Sequence, residues 1–498
     1  MKKLIKNRIL VLTISLAILL IINISTSYSY YIGKVVGNEE STTFSITSAG
    51  AVINFENDNE VISDSNITPG WTASKNFTIT STLNENEINN DDTKLWYVVK
   101  LCIDNNDFPT NAIEFSLSQN GNIVGGGTAI ENISNIGIET GKNADGIILG
   151  IGNFAIGENT HNYTLTINYV DSNIVDPQKT FGIHLAIQAV KPAKVLIDLD
   201  GGTYESSTTK YIAQGILTTI EKPTKPTYIF TGWEITSGNG SAEGTKIISN
   251  ENTITIRAKY EGPYIFETDS WTTIANNVSR GQASVYEVGD EKEILIDENS
   301  YTVRIANNSN YDCTLDSQTA CGFVVEFKDI ISMEIMNSTG ISLYLPDPND
   351  GTNKGGWPNS YARTYLNETV YNKLPNDLQS IIANTTVVSG YDEYYDSENF
   401  ISNDKLYLLS EREVFNSVTN NDTAALSSRQ LDYYANIGVT KTNYSGAIKQ
   451  YNATAANWWL RVAVKSYGQY FVFVDSTGAS SDDFSSRSKG IAPAFRIA

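Results

Sequence analysis

From Tyr30 to about Pro192, apolar and polar residues alternate in short runs separated by Asn, Asp and Gly clusters. The runs are "TTFSITS", "KNFTITSTL", "KLWYVVKLCI", "AIEFSLSQN", "YTLTINYV" and "TFGIHLAIQAV". A period of two predicts strands with one face inward, and the turn-forming clusters predict an antiparallel β-sandwich. Residues 193–261 repeat the pattern on a smaller scale: "KVLIDLDGGTYES" runs into a Gly-Gly turn, "PTKPTYIFTGWEIT" is an aromatic strand, and "NTITIRAKY" closes the unit. From residue 262 the pattern becomes mixed. Trp271, Ile274 and Val278 follow a helical spacing. "SYTVRIAN" and "CGFVVEFKDI" read as strands. "GGWPNSYARTYLNETVYNKLPNDLQSIIA" reads as two helices, the first capped by Ser360 and stopped at Pro375. "DKLYLLSEREVFN" reads as a strand entering a helix, with Ser410 and Glu413 spaced as a capping box. "SRQLDYYANIG" is a further short helix. The expected organisation is therefore mainly β: a sandwich over 30–192, a small all-β unit over 193–261, and an α+β domain over 262–498.

Composition adds class and compartment. The chain has 498 residues, 41% of them apolar and only 18% charged, which at roughly 150 residues per domain suits about three domains. Its formal net charge is -21. Nucleic-acid binding needs clustered cations that displace phosphate counterions, so this balance argues against it, and against an anionic membrane surface. Residues 1–29 combine Lys2, Lys3, Lys6 and Arg8 with the apolar run Ile9–Ile24 and the small-residue stretch "STSYS". That is the pattern of an export signal, either cleaved or kept as an anchor, and it places the mature chain outside the cell, secreted or at the surface. There are three cysteines. Cys313 and Cys321 bracket "TLDSQTA" and either close a small disulfide ring in an oxidising compartment or stand as a free pair; Cys102, in an apolar run, reads as a core thiol.

Three resemblances bear on these units. "SYSYYIGK", "GWTASKNFTITST" and "GENTHNYTLTINYVDSN…DPQKTFGIHLAIQAV" resemble the camelysin-type and biofilm-fibre subunit family of low-GC Gram-positive bacteria. The fibre-forming members of that family imply self-association through this region, by strand donation to a neighbour. "DGGT", "P..PTY.FTGW" and "T.T..A.Y" resemble one internalin-type B repeat, which implies a small β-grasp-like spacer with Phe230 and Trp233 in its core. "GGWPNSYARTYLN", "YNKLPNDLQSII", "DKLYLLSEREVF", "WWLR" and the closing "GIAPAFRI" resemble uncharacterised C-terminal domains of exported gut-type bacterial proteins, with an ending similar to C-type-lectin-like folds. That implies a recognition head. The formylglycine-generating branch of that architecture depends on cysteines near the C-terminus, and none follows Cys321 here.

Candidate chemistry is sparse. The two histidines, His161 and His184, both lie in the sandwich, so 262–498 has no base for a Ser-His or Cys-His arrangement. The one metal-ligand reading of that pair, a zinc site, lacks an HExxH spacing. Acidic pairs remain at Asp347/Asp350, Glu411/Glu413 and Asp482/Asp483. They read as solvated loop carboxylates, with calcium as the one cation they bring into question and paired-carboxylate catalysis as the lesser alternative. Aromatic residues are the stronger lead. In "KSYGQYFVFVDSTGASSDDFSS" one face of the strand is expected to pack inward and the other to look outward, with a polar loop at the rim. The candidate ligand-binding residues are Tyr467, Gln469, Tyr470, Asp475, Ser480, Asp482, Asp483 and Phe484. Trp357, Trp458 and Trp459 read as core, and Arg461 and Arg496 as partners of interior carboxylates. The expected function is an adhesin-type surface protein that presents a glycan- or protein-binding head on a β-rich stalk. The alternatives are a fibre subunit and, less so, a carbohydrate-active enzyme.

Overall fold

The computed structural model describes residues 32–33, 44–48, 51–57, 70–82, 95–106, 113–129, 147–154, 160–169, 181–309, 313–337, 351–417 and 422–498. The export-type segment 1–29 and the pair Asp347/Asp350 lie outside these residues, as do the side chains of Cys102 and His184. The chain is mainly β, as the alternating pattern predicts. It divides into two compact units, 1–224 with 230–260, and 225–229 with 261–498.

In the first unit, β1 (Ile32–Gly33), β2 (Phe44–Ser48), β3 (Ala51–Asn57), β4 (Thr72–Thr82), β5 (Leu95–Asn106), β6 (Ile113–Gln119), β7 (Asn122–Ala129), β8 (Ile147–Phe154), β9 (Thr160–Tyr169) and β10 (Phe181–Val190) form two antiparallel sheets. Their orders are β1-β10-β5-β8 and β2-β3-β4-β9-β6-β7. Period-two burial appears directly on β9, where His161, Tyr163, Leu165, Ile167 and Tyr169 are buried and the intervening residues are not. The sheets meet through aromatic side chains. Tyr97 of β5 hydrogen-bonds His161 Nδ1 and, at 2.7 Å, the Tyr163 hydroxyl, and Phe154 stacks on His161 at 4.3 Å. His161 thus belongs to a buried aromatic network. Gly152 faces Tyr97 across the β5–β8 pair, where a β-carbon would come within 2.3 Å of the ring.

The same unit continues through β11 (Pro192–Asp198), β12 (Thr209–Ala213), β13 (Thr218–Thr219), β14 (Ile229–Ser237), β15 (Gly240–Glu243), β16 (Lys246–Ser249) and β17 (Thr253–Glu261). These make a four-stranded sheet, β12-β11-β17-β14, in which β11 and β17 run parallel, and a three-stranded sheet, β13-β16-β15. Trp233 is buried against Phe230, with ring centroids 5.1 Å apart. Val98 and Val190 share a small apolar cluster with Ala213 and Ile216, so the sandwich and this segment pack together.

The second unit carries β18 (Glu291–Ile296), β19 (Asn299–Ser309), β20 (Gly322–Phe327), β21 (Ser332–Glu334), β22 (Thr385–Ser389), β23 (Phe400–Asp404), β24 (Lys449–Tyr451), β25 (Thr454–Ala456), β26 (Trp458–Ala463), β27 (Tyr470–Val474), β28 (Ser480–Phe484), β29 (Lys489–Ile491) and β30 (Ala494–Ile497). Its main sheets have the orders β18-β19-β20-β30 and β21-β29-β26-β27-β28; β22-β23 and β24-β25 are two-stranded. Helix starts fall where the sequence places caps. Ser360 accepts from Arg363 N, and Ser410 and Glu413 close a reciprocal capping box on the helix Glu411–Phe415. The strand expected at "DKLYLL" is different. Leu406 to Leu409 are buried, but the segment forms no strand: Tyr407 makes an isolated bridge to Ala494, and Leu409 O accepts from Arg461 N at 3.0 Å. Side chains take the neighbouring carbonyls: Asn367 donates to Leu406 O at 2.9 Å and Arg461 to Leu408 O at 2.8 Å. Trp357, Trp458 and Trp459 are all buried in one core, and each satisfies its indole N–H, on Asp404, Ala447 O and Glu334 O respectively.

Candidate functional site

β26, β27 and β28 follow one another as antiparallel neighbours. Directly opposed residues share a face, so Tyr470 with Phe484, Val472 with Asp482 and Val474 with Ser480 lie on one side, and Phe471 with Asp483 and Phe473 with Ser481 on the other. The expected division of β27 into an inner and an outer face does not hold along the strand. Phe471, Val472, Phe473 and Val474 are all buried, because core packs on both faces. Only Tyr470, at the start of β27, is half-exposed. Its ring lies 5.3 Å from Tyr467, which is 56% exposed, and 4.6 Å from Phe484, which is 38% exposed. Three of the candidate residues therefore converge at one end of the hairpin.

A second segment, "YDEYYD" at 391–396, joins them there. Asp392 Oδ1 accepts from the amides of Tyr394 and Tyr395, at 2.5 and 3.0 Å, and folds this stretch into a tight turn. Burial pushes the Asp392 carboxyl up, against those two hydrogen bonds. The turn is stitched to the β26–β27 connection: Glu393 N donates to Lys465 O at 2.8 Å, and the two side chains pair at 2.9 Å. A β-carbon at Gly468 would come within 2.5 Å of the Tyr395 ring, so the two turns are in close contact. Asn353, fully buried, clamps the same connection. Its amide N–H donates to Gly468 O at 3.0 Å, and its Nδ2 reaches Tyr467 O at 2.8 Å and Tyr470 O at 3.1 Å. Ser485 N holds Gln469 O at 2.8 Å. The result is a cluster of five rings: Tyr394 (76% exposed), Tyr395 and Tyr467 on two short turns fixed by backbone and side-chain hydrogen bonds, and Tyr470 and Phe484 on the adjoining ends of β27 and β28.

The other candidates lie elsewhere. Asp475 closes the turn at the opposite end of the β27–β28 hairpin. It accepts from Thr477 N, Thr477 Oγ1 and Ala479 N at 2.7 to 3.0 Å; burial pushes its carboxyl up, and these bonds outweigh burial and hold it below the usual range. Ser480 donates to Glu411. Asp482 is exposed on the edge strand, whereas Asp483 pairs with Lys489 at 2.7 Å. As consecutive strand residues, these two carboxylates point to opposite faces and do not converge on one cation. Gln469 remains with the aromatic cluster, half-buried and holding the turn through its backbone. Sequence reasoning missed Tyr394 and Tyr395. Their signal was three tyrosines, with Tyr391, in a polar segment with no apolar periodicity to place them in a core.

The second unit also holds buried ion pairs. Arg461 engages Glu413 through two bonds of 2.6 Å; burial pushes the Glu413 carboxyl up, and the guanidinium outweighs it and holds the carboxyl below the usual range. Glu326 takes Arg304 at 2.8 Å and Lys449 at 3.0 Å. Arg496 meets neutral partners instead of the expected carboxylate, the Gln318 carbonyl at 3.3 Å and Cys321 Sγ at 3.7 Å. Cys313 and Cys321 are joined as a disulfide.

Residues 291–498 match the family described as a domain of unknown function, DUF6273, a match that starts at the first residue of β18 and takes in the whole aromatic surface. No curated protein matches the chain.

Proposed function

We propose that the second unit is a recognition head and that the five-ring surface binds a glycan. The observation that carries this reading is the convergence of Tyr394, Tyr395, Tyr467, Tyr470 and Phe484 on turns fixed by Asn353, Asp392 and Glu393. Rigid, exposed rings offer flat apolar faces to the C–H face of a pyranose, and phenolic hydroxyls at their edges serve its hydroxyl groups. Binding is favoured over catalysis because 262–498 has no histidine and the buried glutamates Glu326 and Glu413 are committed to cations, which leaves Asp392 and Asp422 as buried carboxylates without an ion pair among the described residues. The resemblance of the ending to C-type-lectin-like folds supports the same reading, and the export-type start supports display outside the cell, on a sandwich and B-repeat-like stalk. The test is a glycan array probed with the full chain, followed by Tyr467→Ala with Phe484→Ala. The expected outcome is a bound glycan whose affinity falls about 10-fold or more in the double variant, equivalent to about 1.4 kcal/mol, at an unchanged melting temperature. No bound glycan, or full affinity in the variant, overturns the proposal.

A second reading, a self-associating fibre or matrix subunit, is favoured by one observation in the first unit. The edge strands β7 and β8 carry exposed Ile123, Val124, Ile148 and Ile151. Electron microscopy of the full chain distinguishes the two: filaments support the second reading, and monodisperse particles sink it.

A further inference from the structure

The Cys313–Cys321 bridge closes a loop whose interior is used as structure. Cys313 is exposed and Cys321 is buried. Between them, Ser317 and Thr319 are buried polar residues, and Gln318 is half-buried. β22 belongs to a two-stranded sheet, so its outer edge needs partners that no strand among the described residues supplies. The loop provides them. Gln318 Oε1 accepts from Thr386 N at 3.1 Å, and Ser317 Oγ accepts from Val388 N at 3.2 Å. Thr319 Oγ1 donates to Glu413 and accepts from Arg461 at 3.2 Å, which completes the central ion pair, and Arg461 in turn reaches Val388 O at 3.4 Å.

Both halves of the aromatic surface depend on these segments. β22 ends at Ser389 and runs into the turn that carries Tyr394 and Tyr395. β26, which holds Arg461, runs into the turn that carries Tyr467. The disulfide spans only eight positions in sequence, so it organises a local loop, while the large core of the unit is built from strands elsewhere in the chain. Arg496 Nη1 donates to Cys321 Sγ across 3.7 Å. A cation there favours that sulfur as the departing thiolate in disulfide exchange.

Resting on the reading of this unit as a recognition head, we propose that the Cys313–Cys321 disulfide is a redox latch on its binding surface, opened by a dithiol reductant. One thiolate of the dithiol attacks the sulfur of the exposed residue Cys313, the S–S bond breaks, and Cys321 leaves as a thiolate beside Arg496 and takes up a proton. The second thiol of the reductant resolves the mixed disulfide and frees the Cys313 thiol. Two electrons and two protons pass to the protein, and the dithiol becomes a disulfide. The loop then loses its closure, Thr386 and Val388 lose their partners, and the two turns loosen while the core stays folded.

The experiment is hydrogen exchange on the full chain, oxidised and after dithiothreitol. The expected result is exchange at Thr386, Val388 and Glu393 accelerated about 10-fold or more, with Val325 and Phe327 in β20 unchanged. Unchanged exchange at Thr386 and Val388, or acceleration throughout β20, overturns the latch. These amides report whether or not any glycan is found, so failure of the binding reading is seen separately. Cys313→Ser should show the fast exchange without reductant; slow exchange in that variant also overturns the proposal. Arg496→Gln should slow reduction by dithiothreitol several-fold, and an unchanged rate removes Arg496 from the mechanism.

Discussion

Asp422 is a buried carboxylate with no ion-pair partner among the described residues. Its Oδ1 accepts from Ala424 N at 3.0 Å, and it lies close behind Gly390, the residue that opens the turn of Tyr394 and Tyr395. Burial pushes its carboxyl up to about 6, against an ordinary value of 3.8. The folded state therefore holds this proton more tightly than the unfolded chain does. The contribution is unfavourable above about pH 6 and fades as pH falls towards 4. Asp422→Asn keeps an acceptor for Ala424 and removes the charge. A shift of about two units at about 1.36 kcal/mol each predicts a gain of up to about 3 kcal/mol at pH 7.5 and almost none at pH 4. Urea unfolding at both pH values checks it, and a variant no more stable than the parent at pH 7.5 refutes the assignment. Glu413 works in the opposite direction: with its carboxyl held low by Arg461, its stabilisation is present near neutrality and is lost as pH falls below the ordinary carboxylate range.

At the scale of elements, the helix starts were legible because caps are local. Ser360 and Ser410 each bond an amide three residues on, a spacing written in the sequence. The turn 464–470 was not legible in the same way. Its shape depends on Asn353, more than a hundred residues away, and on contact with Tyr395. Gly468→Ala tests that contact. A methyl group 2.5 Å from the ring requires the ring or the turn to shift, and overpacking of this kind costs about 1–3 kcal/mol. The variant is expected to unfold at lower urea and to expose Tyr395 further in hydroxyl-radical footprinting. Unchanged stability and footprint would show that the two turns are not stitched together.

For the whole molecule, edge strands carry the argument about assembly. β28 presents Asp482 at its edge, and β18 presents Glu291, Lys292 and Glu293; charges of this kind discourage pairing with another sheet. β7 and β8 have no charged residue, and among the described residues they expose Ile123, Val124, Ile148 and Ile151. With a net charge of -21, two copies repel each other over most of their surfaces, so uncharged edges are where they meet at least cost. If the first unit self-associates, Ile123→Lys combined with Ile151→Lys should shift the full chain to monomers by light scattering, with its melting temperature within a few degrees of the parent. Assemblies that persist in that variant would place the interface elsewhere.

The sequence by itself determined the mainly β class, the periodic strands, the helix caps and the lack of histidine after residue 184. It also brought Cys313 and Cys321 within reach of each other. These are short-range properties: a strand repeats every two residues, and a cap acts three residues on. The tertiary structure alone decided that both faces of β27 are covered, that Arg461 meets Glu413, and that Tyr394 and Tyr395 join Tyr467, Tyr470 and Phe484. Each depends on which distant segments pack side by side. A surface tyrosine and a core tyrosine have the same intrinsic chemistry, and only the neighbours brought by the fold determine whether its ring meets water or another side chain.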